Sequence, residues 1–171
     1  LQIHEIIQRG NEYLMIGEAY YPRYSTYQSY MPYQSSGGYY TNIVGYKYTH
    51  AIVVAFDANG NILWDQSFPI EDVYTYYPEE KVTVNVLDDR IELLYLEENL
   101  IRSKLIKGNE VLEGKSYTPI MLGSEKDEIV IKDPEVEGLK RWYEDSLYAF
   151  GEQQISHSVG NAKGSRKVFY I

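Results

Sequence analysis

Glu18 and Glu152 hold the same place in two similar strands, YLMIGEAY (Tyr13 to Tyr20) and LYAFGEQQ (Leu147 to Gln154), each an apolar run closed by Gly-Glu. Two carboxyls held roughly 5 to 10 Å apart are the acid pair of glycoside hydrolysis. With His50, which opens another apolar strand, they form the one catalytic constellation the chain offers: a glycan-processing hydrolase using Glu18, Glu152 and His50. Their equivalence within a repeat favours the other reading, in which each carboxylate serves the strand that carries it. On that reading no residue is catalytic, because geometry has to come before chemistry.

Other chemistries are poorly supplied. There is no cysteine, which removes disulfides, thiol catalysis and Cys-ligated zinc together. The three histidines, His4, His50 and His157, lie far apart with no paired metal-ligand spacing. DANGNILWD resembles a calcium loop superficially, but Ile62 and Phe68 stand where an EF-hand needs Gly and a bidentate acid, so the segment reads as a hairpin. No nucleophile elbow, phosphate loop or dinucleotide fingerprint occurs. No metal and no cofactor are expected.

Aromatic residues carry the remaining lead. Ten of the 19 tyrosines fall between Tyr20 and Tyr48, among serines, glycines and prolines. A tyrosine covers apolar surface with its ring and offers a hydroxyl, so this density predicts a sticky loop or a loop lying over a sheet. Tyr24, Tyr27, Tyr30, Tyr33, Tyr39 and Tyr40 are the candidate ligand contacts, for a protein or a glycan. The plainer reading is an insertion whose rings pack on their own scaffold. Glu71 to Glu80 holds further tyrosines beside Pro78 and could join this segment at one end of the sheets. Trp64 and Trp142, each in apolar company, read as core.

The elements that must position these residues are strands. Short apolar runs rich in Val, Ile and Tyr, punctuated by Gly, Asn and Asp, predict strands over Ile3 to Gln8, Tyr13 to Tyr20, Thr49 to Asp57, Asn61 to Phe68, Val82 to Leu87, Ile91 to Leu96, Leu100 to Lys107, Val111 to Tyr117, Glu128 to Lys132, Ser146 to Ile155 and Lys167 to Ile171. Val136 to Tyr143 alone could form a helical turn. Asn59-Gly60 between two apolar runs predicts a hairpin with a type I′ turn, whose central residues both need positive φ. Glu98-Asn99 and Asp88-Asp89 mark two more turns, giving an up-and-down antiparallel meander. The turn at Glu98-Asn99 follows the one at Asn59-Gly60 by about forty residues, the spacing of a four-stranded propeller blade.

An apolar strand ending in Gly, a polar loop, and then D-x-N-G-N-x-x-W (Asp57, Asn59, Gly60, Asn61, Trp64) resembles the β-propeller repeats of secreted and envelope proteins in Bacteroidetes-type bacteria. The resemblance is good over Asn11 to Phe68, fair over Lys81 to Lys107 and Asp145 to Ile171, and absent between Gly108 and Lys140. It implies an all-β fold, a single domain over residues 1–171 of about three four-stranded blades; a β-barrel or two-sheet β-sandwich is the alternative. Closed propellers typically have about four to eight blades, so the chain is expected to be the C-terminal part of a larger protein, an expectation its start at Leu1 also suggests. The resemblance implies a secreted, periplasmic or envelope setting and no chemistry.

Composition narrows the partners. A formal net charge of −9 without a basic patch makes nucleic acid a poor one. The longest strongly apolar run, Ala51 to Phe56, is far below the roughly 20 residues of a membrane-spanning helix, so no membrane insertion is expected. The leading expectation is therefore a non-enzymatic, propeller-like scaffold or binding module with a tyrosine-rich contact surface. The alternatives are the hydrolase and a self-associating structural domain that pairs through an open sheet edge.

Overall fold

The computed structural model describes residues 1–29, 38–97, 99–122, 124, 127–132, 137–143, 146–159 and 162–171. The fold is all-β, and no helix occurs among the described residues. The strands are β1 (Gln2–Ile3), β2 (Ile7–Arg9), β3 (Glu12–Ser29), β4 (Gly38–Phe56), β5 (Ile62–Pro69), β6 (Tyr74–Thr75), β7 (Thr83–Val86), β8 (Ile91–Glu97), β9 (Leu100–Lys107), β10 (Glu110–Pro119), β11 (Asp127–Lys132), β12 (Gly138–Arg141), β13 (Leu147–Val159) and β14 (Ala162–Tyr170). They form three antiparallel sheets. The first has six strands, ordered β1-β3-β4-β5 with β2 on β3 and β6 on β4; the second is the meander β10-β9-β8-β7; the third has four strands built around β13. Each sheet is open, so the barrel alternative does not hold.

Alternation along the strands explains the layering. Ala51, Val53 and Ala55 of β4 are fully buried and share a core with Ile91, Leu93 and Tyr95 of β8, where the Phe68 and Tyr95 rings meet at 5.2 Å. Residues i and i+2 line one face, so Leu94 and Leu96 face the other way, and they too are buried. Thr83, opposite Leu94, donates its hydroxyl to the Leu139 carbonyl of β12 at 2.6 Å. The second sheet is thus covered on both faces at β8. A two-sheet sandwich has no place for the third sheet, and three stacked sheets replace it.

Two local expectations need correction. Gly138–Arg141 is strand rather than helix, because it pairs with Leu147–Phe150 and buries Leu139; Val136 lies outside the described residues. The Asn59-Gly60 hairpin forms, but not with a type I′ turn. Only Gly60 has positive φ, and Asp57 closes a wider loop by accepting Asn59 N–H at 2.8 Å, Asn61 N–H at 2.9 Å and Asn61 Nδ2 at 2.9 Å. Those bonds hold the Asp57 carboxyl below its ordinary pKa, with the Asn61 side chain the largest cause. They also account for the D-x-N-x-N pattern without a cation.

Trp64 packs against the core and donates its indole N–H to Glu12 at 3.2 Å, as its apolar company predicts. Trp142 does not. It is 69% exposed and stacks edge-on with Tyr143, because β12 ends before it and the chain turns through the Trp142 N–H to Ser146 carbonyl bond. No helix among the described residues is long and apolar enough to cross a membrane.

Candidate functional site

The carboxylate of Glu18 is completely buried. Both its oxygens accept the Lys81 N–H at 3.0 Å, Oε1 also accepts the Val82 N–H at 2.9 Å, and His4 Nε2 lies 2.6 Å from Oε1. A buried carboxylate survives only with such donors. Here they fasten the first sheet to the segment entering the second. Glu152, in the third sheet, is half-buried and pairs instead with the exposed Lys167. Ala51 is the residue opposite Glu18, so its neighbour His50 projects to the other face of the sheet, where its Nδ1 meets Thr49 Oγ1 at 2.9 Å. The structure brings Glu18 to His4, not to Glu152 or His50.

Over its described residues, 20–29 and 38–48, the tyrosine-rich segment is strand rather than loop. Tyr, Thr and Ile favour extended backbone, and cross-strand aromatic pairs reinforce it. Thus β3 and β4 continue as a ribbon in unbroken pairing from Tyr24↔Ile43 to Ser29↔Gly38. The rings divide between its two faces. Tyr27 and Tyr40 are directly opposed and stacked, with centroids 5.7 Å apart, while Tyr24 and Tyr39 lie on the other face with Ile43. Tyr24, Tyr27, Tyr39 and Tyr40 are 62%, 53%, 74% and 50% exposed, so their rings do not pack on the scaffold. Tyr30 and Tyr33 lie outside the described residues.

At the base of the ribbon the pairing slips between Arg23 and Tyr24, leaving Val44 as the extra residue of a β-bulge. A bulge bends its strand and re-aims the side chains beside it. The next residue, Gly45, has φ +148°, and a Cβ there would stand 2.7 Å from the Thr75 carbonyl oxygen. Only glycine lets β6 come this close, and β6 then pairs with Tyr46 and Lys47. Between ribbon and β6 opens a cleft of about 600 Å³, lined by Arg23, Val44, Tyr46, Tyr74, Tyr77 and Glu79 among others. Tyr74 is flanked by two cations, Arg23 Cζ at 5.2 Å and Lys47 Nζ at 5.1 Å from its ring centre. The Tyr74 hydroxyl, by its hydrogen bond, raises the Lys47 pKa.

The floor of this end is rigid. Tyr48, fully buried against Tyr20, donates its hydroxyl to the Glu79 carbonyl at 2.6 Å and accepts the Glu79 N–H at 2.9 Å. Burial pushes the Tyr48 phenol up from its ordinary pKa. The two tyrosine-bearing segments therefore do meet at one end of the sheets. Sequence reasoning did not single out Arg23, Tyr74 or Tyr77, although a glycine inside a strand run, as at Gly45, is a signal of close backbone approach. Among the described residues no group of three or more His, Asp and Glu side chains is placed to hold a metal ion. Comparison with known proteins found no matching family model, no matching curated protein and no matching solved structure.

Proposed function

We propose that the chain is a non-enzymatic β module that binds a protein or glycan partner through its tyrosine-rich ribbon. The observation that carries this reading is the exposure of Tyr24, Tyr27, Tyr39 and Tyr40 on a two-stranded extension that covers no core. Burying an aromatic ring contributes about 1.5–3 kcal/mol, which the fold does not use here and a partner would. The propeller-blade resemblance of the sequence adds to this reading a scaffold role in a secreted or envelope setting. Glu18, spent on holding two sheets together, lends the hydrolase reading no support.

The test is binding to peptide and glycan arrays by the wild-type chain and by Tyr27→Ser/Tyr40→Ser and Tyr24→Ser/Tyr39→Ser. Loss of a bound partner in one double variant is expected, since the pairs occupy opposite faces; equal binding by both double variants would remove the ribbon from consideration. A second reading, self-association through a sheet edge, is favoured by β10, which among the described residues pairs only with β9 and exposes Val111, Leu112 and Tyr117. A monomeric mass by light scattering at micromolar concentration would reject it.

A further inference from the structure

The cleft at the ribbon base carries an inference independent of the outer rings, since none of Tyr24, Tyr27, Tyr39 and Tyr40 lines it. The partly buried Arg9 and Arg102 are matched to acids, Glu12 and Glu97, whereas Arg23 is exposed. Arg23 faces no carboxylate within ion-pair distance among the described residues; its guanidinium lies over the Tyr74 ring. The acids nearby are already engaged, Glu79 by Lys81 at 2.8 Å and Asp72 by Lys47 at 3.7 Å. A guanidinium over an aromatic ring can still present its fork of N–H donors to a planar, bidentate carboxylate.

What surrounds that cation narrows the ligand. Tyr46, Tyr74, Tyr76 and Tyr77 supply ring faces and hydroxyls, while Val44 is the one aliphatic side chain of the lining. Tyr76 and Tyr77 are 59% and 80% exposed. A peptide anchor favours an apolar pocket, which this tyrosine lining with its single aliphatic side chain does not form, and β6 already occupies the edge of β4 at Tyr46 and Lys47, though not along the ribbon. Flat rings, many hydroxyls and one cation suit a sugar ring bearing a carboxylate. The chain's net charge of −9 opposes a polyanion, so a single acid group among neutral sugars fits best.

We infer that the cleft between the ribbon and β6 binds a glycan through one carboxylated sugar, its carboxylate on Arg23 and its ring against Tyr74 and Tyr77. A uronic acid and a sialic acid share this chemistry. The experiment is calorimetric or NMR titration of the chain with sialyllactose and with an aldobiouronic acid, each beside its neutral counterpart, lactose and the carboxyl-reduced disaccharide. At least one acid should bind about tenfold more tightly than its neutral counterpart, and Arg23→Gln should remove that difference. Arg23→Lys, which keeps the charge but not the fork, should retain only part of it and covers the case that Arg23→Gln misfolds. Tyr27→Ser/Tyr40→Ser should leave it intact, so the cleft and the ribbon fail separately. The inference is overturned if neither acid binds at about 10 mM, if the neutral sugars bind as well, if Arg23→Gln keeps the preference, or if an acidic peptide binds the cleft and the sugars do not.

Discussion

Gly17-Glu18 and Gly151-Glu152 are one sequence pattern in two settings. In β3, Gly17 lies between Ile3 and Ile52, and Glu18 is sealed beneath the loop that enters the second sheet. In β13, Gly151 lies opposite Tyr170, whose ring fills the space a Cβ would take, and Glu152 is half-buried beside the exposed Lys167. The strand pattern places the carboxylate; the neighbouring sheet decides what it does. Each strand then enters a hairpin, of 18 and 19 residues for β3 and β4 but 13 and 9 for β13 and β14, and the added length of the first is the exposed ribbon.

The sharpest way to break this comparison is to delete both carboxylates. Glu18→Ala strands the Lys81 and Val82 N–H groups and His4 in the interior, and should cost about 3–5 kcal/mol in urea unfolding. Glu152→Ala removes a half-buried carboxylate whose partner Lys167 reaches solvent, and should cost about 1 kcal/mol or less. Similar losses at both sites would mean that the repeat, not the neighbouring sheet, sets the role. The glycines come next. At Gly45 a methyl group meets the Thr75 backbone, which cannot step aside, so Gly45→Ala should cost about 2–3 kcal/mol and loosen β6 together with the cleft. At Gly151 it meets the end of the Tyr170 side chain, which can swing away, and the loss should be nearer 1 kcal/mol.

A smaller difference is readable by pH. Burial pushes the Tyr170 phenol up to about 12, from an unfolded value near 10. Folded protein keeps the proton that unfolded chain releases, so this contribution is complete below pH 10 and is lost as pH rises from about 10 to 12. Tyr170→Phe keeps the ring over Gly151 and removes the titration. Its stability should fall less steeply in that window, by up to about 1.4 kcal/mol per pH unit. Tyr48 and Tyr95, also raised by burial, leave a residual slope, and an unchanged slope would show that Tyr170 titrates as if unfolded.

Legibility in the sequence followed burial. Between Ala51 and Lys107 apolar residues alternate where one face of a strand is covered and run on, as from Leu93 to Leu96, where both are, and strands β5 and β7 to β9 could be read from those patterns. The ribbon has no covered face, hence no apolar period, and its Ser, Gln and Tyr resemble a loop although they pair as strands. Glu18 was visible as a residue but not as a latch, because its donors are backbone N–H groups more than sixty residues away that leave no side-chain signature. The cleft was hidden for a similar reason: it depends on a two-residue strand, Tyr74–Thr75, meeting Tyr46 and Lys47 across the sheet.

The smallest expected effect separates ribbon from core most cleanly. A two-stranded ribbon exposed on both faces is marginal by itself, and Tyr27 and Tyr40 touch each other rather than the buried residues. A double-mutant cycle of Tyr27→Ser and Tyr40→Ser should therefore give a coupling of about 0.5 kcal/mol or less in global unfolding. Amide exchange should nevertheless quicken from Tyr24 to Ser29 and from Gly38 to Ile43 in the same variants, while Leu14, Ile16 and Val53 keep their protection. A global loss above about 1 kcal/mol would mean that the ribbon supports the sheets beneath it, and would leave its tyrosines explained by folding instead of by a partner.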